Sequence, residues 1–500
     1  MSRHLLVAGM ILILAVAGCI AQESRAALLG RVTDSSDAVV PGVSISITNT
    51  STGVTTTTTT NEQGNYLALY LIPGAYRVVV EKPGFRRYQR DAIELRVNDR
   101  LELNITLALG ALEETVTITA ESPLLDTAGA SLGQVVDSRR ISELPIPHGN
   151  PYMLVALAPG VTSRPVLLNN EPWHFYGAPF SMSGDKAFTN DLLIDGMPAT
   201  HTFGNNQLIA SETPMADLVA EFKVQTTIFD ATTGNAEGGA VNYSTKSGTN
   251  AFHGTAYLFK MAPEMTANLF FANRAGQPRS NFTYTRAGAT LGGPVRFPGL
   301  YNGTNRTFFT YGYENLDQNK PRGSVATVPT MKQRQGDFAD LLALGTRYQV
   351  YDPSTRRPAG AGRVQSDPFP GNIIPPSRIS PIAKNILTYY PPPNPGSGTA
   401  DGTDNLPLPN TLGKYPYWNN AARIDHNLSS RQRFFGRFSA SKLDCYQGDS
   451  FENAATGDAN LILANRSLTV DYVYLLSPSL VANVRGGYVR YVREQLLTHV

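Results

Sequence analysis

Hydrophobic and polar positions alternate with a period of two in seven stretches of the second half of the chain: 251–260, 282–295, 306–318, 417–428, 431–442, 467–476 and 480–493. The run RQRFFGRFSASK at 431–442 shows the pattern. Phe434, Gly436, Phe438 and Ala440 fall on one face, and Arg433, Arg437, Ser439 and Ser441 on the other. The same split puts Leu468, Val470, Tyr472 and Tyr474 opposite Thr469 and Asp471, and Phe309, Tyr311 and Tyr313 opposite Thr310, Gly312 and Glu314. Period two predicts strands, but it does not name the solvent on either face. The connections are more informative, because they alternate between long and short, with 319–416 very long and the turn at Ser429 and Ser430 minimal. A membrane β-barrel sorts its connections this way, whereas a soluble meander has no reason to. Each run is also close to the roughly 9 to 11 residues that a tilted strand needs to cross a bilayer. The apolar faces are therefore expected to meet lipid, and Arg433 and Arg437 a watery or plug-filled lumen. On that reading Phe438→Arg is costly and Ser439→Arg mild. A soluble sheet with an aromatic core is the competing reading of the alternation.

Upstream, residues 26–110 alternate in shorter runs, such as Val43, Ile45 and Ile47, or Tyr76, Val78 and Val80. Turns with Pro or Gly separate them: PGV at 41–43, NEQGNY at 61–66, IPGAY at 72–76 and KPGF at 82–85. Short strands with turns of this kind predict a β-sandwich. The segment LEETVTITAES at 112–122 reads as belonging to neither neighbour, the alternative being a last strand of the sandwich. In 123–250, SRRISELPIPHGNPYMLVALAPGV predicts a helix broken by prolines, DLLIDGMP a strand entering a turn, and LVAEFKVQTT another strand.

Two resemblances follow from these residues. GRVTDSSDAVVPGVSISITN with NEQGNYLALYLIPGAYRVVVEKPGF resembles the carboxypeptidase-regulatory-like domain, which implies a seven-stranded, transthyretin-like sandwich without catalytic groups. GQVVDSRRISELPI, FSMSGDKAFTNDLLIDGMP and VAEFKVQTTIFDATTGNAEGGAVNYSTKSGTN resemble the plug of TonB-dependent outer-membrane receptors, particularly the Oar-like group. The expected fold class is mainly β, with an N-terminal sandwich, an α/β plug and the first strands of an incomplete transmembrane barrel. The expected order is a signal peptide at 1–25, the sandwich at 26–110, a linker at 111–122, the plug at 123–250 and barrel from 251 to 500. The resemblance places a TonB box at Glu114, Thr115, Val116, Thr117, Ile118, Thr119 and Ala120, and a plug motif at Asn190, Asp195 and Gly196. It implies as partners a TonB-type periplasmic energy-transducing protein, outer-membrane lipid and an extracellular solute. Such barrels close with about 22 strands, so the chain reads as the N-terminal part of a longer protein.

Composition narrows the function. A net charge of +2 with 16% charged residues gives no footprint for nucleic acid. The basic start at Arg3 and His4, the apolar run Leu5 to Ala17 and the small residues after it read as a secretory signal, shorter than the roughly 20 apolar residues of a spanning helix. Val16-Ala17-Gly18-Cys19 also fits a lipobox; with Cys445 the only other cysteine, a disulfide between the folded domains is excluded. The seven histidines show no metal-ligand spacing, and no G-x-S-x-G, P-loop or H-E-x-x-H occurs. Ser181 and Ser183 near Lys186 read as loop serines. No enzyme, metal or cofactor is expected. The long loop 319–416, with 16 of the 34 prolines, reads as irregular, stiff surface sequence. Trp173, His174, Phe175 and Tyr176 suit either stacking on a sugar or siderophore, or plug packing. Two functions remain: energy-coupled uptake of a scarce solute such as a siderophore, oligosaccharide or peptide-like molecule, or adhesion at the cell surface without transport.

Overall fold

The computed structural model describes residues 23–110, 115–119, 133–163, 180–186, 188–203, 207–226, 236–268, 270–274, 276, 278–279, 281–321, 325–408, 412–446, 451, 459–477 and 480–497. The sandwich comprises β1 (Ala26–Asp34), β2 (Ser44–Asn49), β3 (Thr55–Thr59), β4 (Asn65–Leu71), β5 (Gly74–Glu81), β6 (Arg87–Leu95), β7 (Arg100–Glu102), β8 (Ile105–Leu107) and β9 (Thr115–Thr119). One sheet runs β4-β1-β7, with β8 also on β1, and the other runs β3-β2-β5-β6-β9. The inward residues Leu28, Ile45, Ile47, Val78, Val80, Leu103, Ile105 and Leu107 form its core. This is nine strands rather than the expected seven, and β9 accounts for a correction. Thr115–Thr119 does not stand apart from its neighbours: it pairs in parallel with Arg87–Asp91 as the outermost strand of the second sheet. A run of Thr, Val and Ile has high strand propensity, and β6 offered it an open edge. Glu114 and Ala120 lie outside the described residues.

The plug comprises β10 (Gly133–Val136), β11 (Val161–Ser163), β12 (Phe180–Met182), β13 (Asp191–Ile194), β14 (Met197–Pro198), β15 (Thr200–Phe203), β16 (Gln207–Ala210), β17 (Val219–Gln225) and β18 (Ala240–Thr245). Its main sheet has the order β10-β17-β18-β13-β14, while β11-β12 and β15-β16 form separate hairpin-like pairs. The predicted broken helix is a helix at Ser138–Glu143, capped by the Asp137 side chain, followed by 3-10 turns at Pro147–Gly149 and Pro151–Leu157. Phe222, Tyr243, Tyr152, Leu192 and Ile194 pack beneath the sheet.

The remaining strands are β19 (His253–Met261), β20 (Thr283–Pro294), β21 (Arg296–Phe297), β22 (Tyr301–Asn302), β23 (Thr307–Pro321), β24 (Val325–Ala326), β25 (Tyr351–Pro358), β26 (Val364–Pro368), β27 (Leu406–Pro407), β28 (Leu412–Ser429), β29 (Gln432–Cys445), β30 (Ala459–Ser477) and β31 (Leu480–Leu497). Seven of them make one antiparallel sheet of order β19-β20-β23-β28-β29-β30-β31, the seven stretches predicted from alternation. Several extend past the predicted ends on the long-loop side, where apolar side chains such as Leu316, Tyr417, Leu443 and Leu463 are buried on the inner face and the apolar-outside alternation fades. On the outer face Phe438 is 45% exposed and Leu468 46%, whereas Arg437, Ser439, Thr469 and Asp471 on the inner face are 4% exposed or less. Gly312 and Gly487 let the plug approach the wall closely: a Cβ on Gly487 would lie 2.4 Å from Met197 Cε, and one on Gly312 2.9 Å from Leu218 Cδ1.

The inner face corrects one expectation. Ser439 is buried and donates to Glu212 of the plug, so an arginine there meets packed protein rather than an open lumen. The long loop corrects another, because it is ordered rather than irregular. It contains the β25-β26 hairpin, the β24-β27 pair and helices at Met331–Arg334, Ala339–Ala343 and Pro381–Leu387. Prolines remove backbone donors, and polar side chains supply replacements. Arg334 donates to the carbonyls of Leu387, Tyr390 and Pro391, and the fully buried Asn372 donates to Phe338 and Tyr348 carbonyls while accepting from Val350 N–H.

Candidate functional site

Asp195 and Gly196 form the two-residue turn between β13 and β14, with φ of +52° and +75°. A tight hairpin of this kind needs positive φ at both central residues, which Asp tolerates and Gly adopts freely. The turn holds the Asp195 carboxylate against the barrel wall. It accepts from Thr245 N–H at 2.9 Å and Thr245 Oγ1 at 2.7 Å, pairs with Arg423 Nη1 of β28 at 3.1 Å, and faces Arg437 Nε of β29 at 3.3 Å. Arg423 also makes a two-point contact with Asp425, at 2.9 Å and 2.8 Å, and lies 4.5 Å from the centre of the Phe435 ring. Arg437 donates to Glu212 at 2.7 Å, and Ser439 and Ser467 complete the donors to that carboxylate.

All five ionised side chains are buried. Stripping ions of water costs several kcal/mol each and is offset only when partners are numerous and well placed. Here every carboxylate has at least one guanidinium and one hydroxyl or amide donor. Burial alone would push the carboxyls of Asp195 and Glu212 up; Arg423, Arg437 and Thr245 outweigh it at Asp195, and Arg437, Ser439 and Ser467 outweigh it at Glu212, so both are held below the ordinary carboxylate range. The plug is thus fixed to the wall by charge as well as by packing.

A second ionic knot ties Glu23 and Arg25, just ahead of β1 and inside the stretch 1–25 that the sequence reading gave to the signal peptide, to the same wall. Asp471 of β30 accepts from Arg25 Nη1 at 2.8 Å and Arg485 Nε at 2.7 Å, and Glu23 lies 3.3 Å from Arg485. Arg25 stacks on Tyr70, and the Glu23 carbonyl accepts from Asn242 of the plug. The sandwich meets the plug again where Val97 N–H donates to Glu221 and where Asn250 donates to the Thr52 carbonyl.

The residues singled out from the sequence do not form one site. Asp195 and Arg437 meet in the ion cluster, with Gly196 shaping the turn. Asn190 is buried elsewhere in the plug and donates to the Phe180 carbonyl. Arg433 sits nearer the short-turn end, reaching the Tyr70 carbonyl of the sandwich at 3.4 Å. Thr115–Thr119 lies on the sandwich edge. Residues 173–176 lie outside the described residues. Sequence reasoning missed Glu212, Arg423, Asp425 and Arg25, and put Asp471 on the polar face without giving it a role. A signal existed for two of them: Arg423 and Asp425 flank Ile424 in a predicted membrane strand, and charges on such strands face the interior. Ser181 and Ser183 donate to the carbonyls of Asp185 and Thr226. Among the described residues no three His, Cys, Asp or Glu side chains gather as a metal site.

Residues 244–499 match the outer membrane beta barrel domain family, and residues 27–108 match the carboxypeptidase regulatory-like domain. The chain is 26% identical over 428 residues to the TonB-dependent transporter Oar of Myxococcus xanthus, a match covering 82% of this chain and 34% of that protein. Similar solved structures include the outer membrane transporter YddB from Escherichia coli, with a TM-score of 0.43 and 12% identity over 71% of this chain and 38% of that one. Another is the siderophore receptor PirA from Acinetobacter baumannii, with a TM-score of 0.41 and 14% identity over 73% and 41%. The chain spans about a third of the length of the curated relative it matches. With strands that alternate between an apolar outer face and an inner face charged against a plug, and with half its length matching the family, the chain belongs to the outer membrane beta barrel domain family.

Proposed function

We propose that the protein works in energy-coupled uptake of a scarce solute across the outer membrane, with the short turns and the N-terminal domains on the periplasmic side. The observation that carries this reading is the buried ion cluster of Asp195, Glu212, Arg423 and Arg437. A domain held in the lumen by buried charge stays shut at rest, yet it releases in steps when its partners are exchanged for water, because each ion regains its hydration. An adhesin has no use for such a domain. A TonB-type protein is the proposed source of the pull, and Thr115–Thr119 the proposed handle. As the outermost strand of its sheet among the described residues, it offers a backbone edge to which a partner strand can add. A siderophore, oligosaccharide or peptide-like molecule is the proposed class of cargo.

Val116→Pro and Ile118→Pro test this reading, since proline removes a backbone donor and fixes one angle. Surface binding and energised accumulation of the same solute are measured side by side in cells producing the full-length protein. Binding is expected to persist and accumulation to fail. Normal accumulation in both variants would mean that β9 is only the last strand of the sandwich.

A further inference from the structure

Where sandwich, plug and barrel wall meet, at the short-turn end, they line a partly open cavity of about 370 Å³. Its apolar walls include Tyr70, Tyr76, Phe308 and Phe435. That size falls within the range of small-molecule sites, roughly 300 to 1,000 Å³. Arg433 reaches into it. One guanidinium nitrogen points at the Tyr70 carbonyl at 3.4 Å, while Nη2 is buried with no hydrogen-bond partner among the described residues.

Five other arginines, four on the wall and one ahead of β1, are matched by carboxylates: Arg423 by Asp425 and Asp195, Arg437 by Glu212, Arg286 by Glu314, and Arg485 and Arg25 by Asp471 and Glu23. The two carboxylates on the cavity wall are already engaged, Asp425 by Arg423 and Ser247, and Asp471 by Arg25 and Arg485. Among the described residues Arg433 has no ion-pair partner within 4.0 Å. A guanidinium shielded from bulk water, without a counter-ion and beside aromatic rings, is matched by an anion whose remaining body is apolar.

We propose that this cavity binds a small organic anion, a carboxylate or phosphate on a flat apolar body, with the anionic group on Arg433 and the body against Tyr70, Tyr76 and Phe435. The assignment stands independently of transport. Isothermal titration of the full-length protein in nanodiscs with phenyl phosphate, benzoate and inorganic phosphate tests it. Saturable one-to-one binding is expected for phenyl phosphate or benzoate, with inorganic phosphate at least tenfold weaker. Arg433→Gln should weaken binding at least tenfold and Arg433→Lys less. Val54→Trp, which narrows the cavity from the sandwich side and leaves the Arg433 side chain unaltered, should abolish it while leaving the melting temperature of the free protein unchanged. If Arg433→Gln fails to fold, Val54→Trp decides alone. Failure of both organic probes to saturate the unaltered protein, or equal affinity in the unaltered, Gln and Trp forms, would overturn the site. Equal binding of inorganic and phenyl phosphate would overturn the apolar body.

Discussion

Asp195→Asn keeps the shape of the side chain and removes its charge, so it isolates the electrostatic share of the contact between plug and wall. The carboxylate accepts three hydrogen bonds, from Thr245 N–H, Thr245 Oγ1 and Arg423 Nη1, and faces Arg437 Nε at 3.3 Å. An amide oxygen can still serve Thr245 N–H and Arg423, but the new NH2 group confronts the Arg437 donor. One charge-assisted contact is then lost outright and another becomes ordinary. Hydrogen bonds to charged groups contribute about 1.5 to 3 kcal/mol and neutral ones about 1, so the local cost is about 3 kcal/mol. It stays at the low end of the 3 to 5 kcal/mol typical for orphaning a buried ion, because Arg423 retains Asp425 and Arg437 retains Glu212. At 1.36 kcal/mol per factor of ten, this corresponds to about a hundredfold rise in opening of the contact. Amide hydrogen exchange of the purified protein reads it directly, since the Thr245 N–H donates to Asp195. Exchange across β18 should accelerate about a hundredfold while β29 and β30 keep their protection. Unchanged protection at Thr245, or a coupling energy below about 0.5 kcal/mol in a double-mutant cycle with Arg437→Gln, would refute the claim that charge holds the plug.

Other outcomes follow from the same geometry. Phe438→Arg puts a charge on the outer face and should cost about 2 to 4 kcal/mol near the bilayer midplane, seen as lost heat-resistant barrel on gels. Ser439→Arg should now be at least as damaging, because the site is packed against Glu212. Cysteines introduced in 325–408 should be labelled by an impermeant thiol reagent on intact cells and one at Ser429 should not; the reverse pattern would invert the orientation. Glu221 supplies a pH dependence. Burial, joined by Asp99 and Glu94 and opposed by the Val97 N–H and Arg96, pushes its carboxyl up to about 7. A carboxyl raised on folding binds more protons in the native state, so docking of sandwich on plug should be firmest below about pH 4.5 and loosen as pH rises to 7. Protease sensitivity between the two domains reports this, and Glu221→Gln should flatten the profile.

Alternation between 251 and 493 was enough to find seven wall strands and to sort their faces, because strand geometry forces successive side chains to opposite sides and lipid tolerates only one kind of face. Pro and Gly turns were enough for the sandwich, and DLLIDGMP read as a strand entering a turn, since these are rules of the local backbone. The partners of the charges needed tertiary structure. Asp195 and Arg423 are 228 residues apart in the chain, and Arg25 and Asp471 are 446 apart. Nothing local distinguishes a lumen arginine held by a carboxylate, such as Arg437, from one with none among the described residues, such as Arg433, although both occupy the same face of β29. The placement of Thr115–Thr119 was undecided for the same reason: its alternation suits any open strand edge, and only the closed sandwich shows that β6 provides one. Composition made the long loop look irregular because proline counts removed donors and not the side chains, Arg334 and Asn372 among them, that folding brings in to replace them.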